Sequence, residues 1–99
     1  MNTLFLPNLP GTSTQITGSP TTFNQATFYP CSGFTAQSVP IFSTGKIYLG
    51  VATGQLPISI PASGSYTITA NSVEAGEGVL NNYFVSPQFT GDGICIIYA

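Results

Sequence analysis

Seven short turn signals punctuate the chain: TGS at 17–19, CSG at 31–33, STG at 43–45, ATG at 52–54, ASG at 62–64, EAGEG at 74–78 and TGDG at 90–93. Most lie about 9 to 15 residues apart, and short strands with turns at such intervals read as a sandwich or a barrel. The runs between the turns are strand-like. SYTITAN alternates, with Tyr66, Ile68 and Ala70 on one face and Thr67 and Thr69 on the other. KIYLGVAT puts Ile47, Leu49 and Val51 inward, and Gly50 marks a bulge or a close backbone approach. LPISI turns Leu56, Ile58 and Ile60 inward, with Pro57 suiting an edge strand.

VLNNYFV and ICIIYA are further candidate strands. In the latter, Ile94, Ile96 and Tyr98 share one face and Cys95 and Ile97 the other, the mark of a central strand that must be docked. Asp92-Gly93 is a hairpin turn signal that would pair PQFT with ICIIYA. TSTQIT and TTFNQATFYP are weaker strand candidates. LPNLPGTSTQ reads as extended, because two Pro and a Gly within five residues forbid regular structure. NSVEAGEGVLNNY tolerates no more than a helical turn. The expected fold is all-β: a small antiparallel β-sandwich or jelly-roll-like barrel of about seven or eight short strands. An extended N-terminal arm over residues 1–20 precedes a single sandwich domain over residues 21–99.

Charge is nearly missing. Lys46 is the only Lys or Arg, His is absent, and Glu74, Glu77 and Asp92 are the only acids. One cation makes no basic patch, so nucleic acid and anionic membranes are excluded as partners. No run approaches the ~20 apolar residues of a membrane helix. MNTLFLPNLPG has neither a basic n-region nor an h-region, so the chain is expected to be made in a cytoplasm. So few charges leave little self-repulsion and favour association.

Without His, serine triads and Cys–His dyads are excluded. Glu74 and Glu77 stand three apart in a glycine-rich, solvated turn, where nothing raises one carboxyl as glycoside hydrolysis requires. EAGEGVLNN lacks the spacing of a calcium loop, and Asp92 is a turn former. No catalytic, cofactor or metal residue is assigned, and the chain reads as a non-enzyme. Cys31 and Cys95 lack metal-ligand spacing and are either two buried reduced thiols or one bridge. Lys46 begins a strand. It either pairs with Glu74, Glu77 or Asp92, or serves as a solubilising charge that discourages edge pairing.

ISIPASGSYTITA, residues 58–70, resembles a phrase of the trimeric jelly rolls, among them the complement globular-head and tumour-necrosis-factor-like domains. The matching positions are Ile58, Ile60, Pro61, Gly64, Tyr66 and Ile68, which implies strand, tight turn and a strand whose Tyr packs inward. FTGDGICIIYA is similar to the closing strand of those domains. In those families the two motifs lie further apart, so the resemblance implies a sandwich style and no functional residue. As a whole the chain resembles small bacteriophage virion proteins that decorate or cement heads or cap tails.

That resemblance implies a virion structural protein, specifically a capsid decoration or cement protein. It would be a trimer or dimer, and its partners would be the major capsid protein or other virion subunits. The alternative is a receptor- or glycan-binding tip of a phage tail or fibre, with LNNYF among its contact loops.

Overall fold

The computed structural model describes residues 2–42, 45–51, 55–70 and 78–99. Nine strands run through them: β1 (Asn2–Leu6), β2 (Thr14–Gln15), β3 (Gln25–Phe34), β4 (Pro40–Phe42), β5 (Ile47–Gly50), β6 (Ile58–Ile60), β7 (Tyr66–Thr69), β8 (Phe84–Pro87) and β9 (Gly93–Tyr98). A 3-10 turn, Leu80–Asn82, precedes β8. All pairings are antiparallel. One sheet runs β1-β9-β3-β4, with β7 also on β3, and the other runs β2-β8-β5-β6.

The two sheets share one core, as a β-sandwich does. Ala26, Phe28, Ile94 and Ile96 from the first sheet meet Ile47, Leu49, Ile60 and Val85 from the second. Each comes from an alternating run, so the period of two puts these residues on one face. β9 is the central strand its two-faced apolar pattern predicts, flanked by β1 and β3. Ten-residue β3 is the spine of its sheet. Its free side pairs with β7 over Gln25–Phe28 and with β4 from Cys31 onward. Tyr29 and Pro30 fall in the gap between these partners, where a proline's missing N–H is tolerated.

Several expectations are corrected. Within the extended arm expected over residues 1–20, two stretches are instead strands of the two sheets. β1 pairs with β9 and β2 with β8, while Leu9 and Ile16 are buried. The prolines interrupt only the link between the two strands, and backbone bonds hold that link: Leu9 N–H donates to Asp92 O at 3.0 Å, and Gly91 N–H to Leu9 O at 2.9 Å. Those bonds also explain why PQFT and ICIIYA form no hairpin. β8 stays in the second sheet on β5, and β9 enters the first. A turn closed by Asp92 N–H to Phe89 O, with Gly91 at φ 101°, carries the chain across.

Val51, expected inward, is 69% exposed because β5 ends at Gly50. Gly50 marks the expected close approach: a Cβ there would meet Leu56 Cα at 2.9 Å and Pro57 Cδ at 3.0 Å. Tyr66, also expected inward, is exposed on edge strand β7, while Ile68 and Ala70 pack against the core as expected. Pro57 immediately precedes edge strand β6.

Candidate functional site

Lys46 is exposed just before β5. Its backbone is held by Gln88: Lys46 N–H donates to Gln88 Oε1 at 3.1 Å, and Gln88 N–H donates to Lys46 O at 2.9 Å. Glu74 and Glu77, two of its three expected partners, lie outside the described residues. Asp92, the third, is half-buried, and its Oδ2 is buried without a hydrogen-bond partner. That oxygen lies over Gly45, where an added Cβ would meet it at 2.8 Å and the Phe89 ring at 2.6 Å.

Beside Asp92 is a cavity of about 220 Å³ lined by Phe5, Pro7, Asn8, Ser32 and Gly91–Gly93. Ligand pockets usually hold ~300 Å³ or more. Asp92 is the only ionisable residue lining this one, so it offers no acid–base pair. Among the described residues, no three His, Cys, Asp or Glu side chains come together as metal ligands. Nor, among them, is any helix long and apolar enough to cross a membrane.

The LNNYF stretch does not display its tyrosine. Tyr83 is buried, with ring centroids 6.3 Å from Phe23 and 6.2 Å from Phe28. Asn81 O accepts a bond from Gln15 Nε2 at 2.7 Å, which ties the turn to β2. The sequence could not separate this Tyr from a displayed one, because its burial depends on a partner 60 residues earlier, Phe23.

The surface is more informative. Val39, Ile41 and Phe42 on the β3–β4 hairpin, Phe89 in the β8–β9 link, and Val51 and Tyr66 are large apolar side chains left exposed. Phe42 stands across Cys31 from Gly93, and Phe89 stacks over Gly45. Hairpin and link therefore lie at the same end of the sandwich. β4 was not anticipated from the sequence. Only PIF between Pro40 and Phe42 signals it, too short for periodicity. Of the described residues, the charged side chains Lys46 and Asp92 both adjoin the β8–β9 link at this end.

The cysteines are two free, buried thiols. Burial pushes both above the ordinary range by withholding solvation from the thiolate, and contact with Cys95 pushes Cys31 further. No protein-family model matches the chain, and no curated protein or solved structure matches it either.

Proposed function

We propose that this chain is a structural subunit of a virion, a capsid decoration or cement protein that oligomerises and seats its apolar end on junctions between capsid subunits. What supports the reading is the exposed Val39, Ile41, Phe42 and Phe89 at one end of a sandwich nearly devoid of charge. Large apolar side chains left exposed at one end of a domain mark a candidate interaction site. A standard interface takes ~800 Å² from each partner. Of this chain's 5200 Å², one such contact would cover roughly 15%. Repetition over a lattice then makes a modest single contact collectively strong. The glycan-binding alternative loses support from the burial of Tyr83.

Light scattering after size exclusion, run on the chain alone and with capsids of the source particle, tests the proposal. The expected result is a homo-oligomer that binds particles saturably, with binding reduced at least tenfold in a Phe42→Ser/Phe89→Ser chain that still unfolds cooperatively. A monomer that never co-elutes with particles ends the proposal, and binding to a glycan array would favour the alternative.

A further inference from the structure

The outer face of the five-stranded sheet, turned away from the core, holds two thiols on adjacent strands. Cys95 on β9 stands between Phe5 on β1 and Tyr29 on β3. Two residues earlier, Gly93 stands opposite Cys31, whose other neighbour is Phe42 on β4. Paired residues of an antiparallel ladder share a face, as do residues two apart on one strand. The cysteines are thus diagonal neighbours, and the residue directly across from Cys31 has no side chain. The Cys31 thiol interacts with that of Cys95, and Cys95 Sγ–H donates to Gly33 O at 3.4 Å. Both residues are wholly buried, and Phe42 packs on Tyr29 with ring centroids 6.2 Å apart beside them.

We propose that Cys31 and Cys95 are a reversible redox pair, a dithiol that a small-molecule disulfide such as oxidised glutathione converts to a cross-strand cystine. The first cysteine, as thiolate, attacks the oxidant's S–S bond. A mixed disulfide forms and one small thiol leaves. The second cysteine, as thiolate, attacks the protein-side sulfur, forms the Sγ–Sγ bond and expels the other small thiol. Two protein S–H bonds are oxidised to one S–S bond, their protons pass to the expelled thiolates, and the oxidant is reduced to two thiols.

Geometry makes the bond both closable and labile. Diagonal neighbours have Cα atoms ~7–8 Å apart, whereas a relaxed disulfide needs ~4.4–6.8 Å. Closure must therefore draw β3 and β9 together by roughly 1 Å. β3 pairs with β9 in unbroken register as far as Cys31↔Gly93, and on its other side its register on β4 shifts between Cys31 and Gly33, an irregularity immediately after the first thiol. A strained cystine is more easily reduced than a relaxed one. Cys31 is the entry point, because its neighbouring strand β4 is a three-residue edge strand. Burial keeps both thiols protonated, so closure waits on β4 lifting. If the virion reading holds, a subunit assembled reduced in a cytoplasm would be stapled after release. That consequence rests on the proposed function, and the chemistry does not.

Lys46 supplies the assay. It is the only trypsin site, and it separates Cys31 from Cys95. The folded chain is equilibrated with glutathione buffers of graded ratio, quenched by unfolding in excess alkylating agent, cut with trypsin, and the products are weighed without reduction. The expected product under oxidising ratios is the two fragments of one chain joined, unalkylated and lighter by two hydrogens. Excess reduced glutathione reverses it, and Cys31→Ala and Cys95→Ala chains never show it. Phe42→Ala should close several-fold faster and reach the same end point, and an unchanged rate would overturn the route through β4. Separate, alkylated fragments at every ratio would overturn the proposal. So would joined fragments obtained only from chain oxidised while unfolded, or only between two chains.

Discussion

Gly50 and the cysteine pair show how much single positions decide. At Gly50 the returning backbone of Leu56 and the Pro57 ring leave no room for a methyl group. Gly50→Ala is expected to cost about 1–3 kcal/mol, the usual range for overpacking against a backbone that cannot step aside. Urea denaturation at constant slope checks it. The thiols carry a pH dependence. Their ordinary value is 9.0, and desolvation raises both in the fold. Above about pH 9 the unfolded chain gives up protons that the folded chain retains, so stability falls as pH rises from there. Below that pH their contribution is fully present. In reducing buffer the urea midpoint should be flat up to about pH 8 and decline above about pH 9. A Cys31→Ala/Cys95→Ala chain should decline less steeply. Gly50's close approach is legible in the sequence as a glycine inside a strand pattern. The contact between the thiols is not, because 64 positions (95 − 31) separate them and only the register of β3 on β9 brings them together.

Among the elements, β1 and β2 depart furthest from what the residues alone imply. LPNLPGTSTQ reads as extended with no regular structure, yet it takes in Leu6 of β1 and Thr14–Gln15 of β2, and Leu9 in the link between them is 3% exposed. Deleting residues 2–16 removes both strands together with buried Leu9 and Ile16. Losing a buried Leu or Ile side chain costs about 2–5 kcal/mol each, against a total stability of about 5–15. The truncated chain should therefore lose its cooperative thermal transition by circular dichroism. A detachable arm would leave the transition in place. The strands with clean alternation, β5, β6, β7 and β9, were legible because their own residues carry the signal. Pairing was not. The turn after β8 looks like a hairpin locally, and only the bonds from Leu9 to Asp92 and Gly91 show why the chain changes sheets.

At the scale of the molecule, the class of fold follows from turn spacing and from the Thr, Gly and Pro between apolar runs. The end that bears Val39, Ile41, Phe42 and Phe89 does not, since it joins a hairpin and a link that are distant in sequence. The pairing of β1 with β9 sets Asn2 opposite Tyr98. Neighbouring strands lie about 4.8 Å apart. Residues 2 and 98 are therefore remote along the chain and adjacent in space, and the sandwich is closed much like a loop of string. A circular permutant that joins residue 99 to residue 2 through a short glycine linker, with new termini between Ala36 and Gln37 in an exposed turn, should reach the same native state. The β1–β9 pairing would become a local hairpin and the β3–β9 pairing would shorten, while β4 alone would move far from β3 along the chain. Since local pairings form before distant ones, the permutant should refold faster than the parent in stopped-flow dilution from urea.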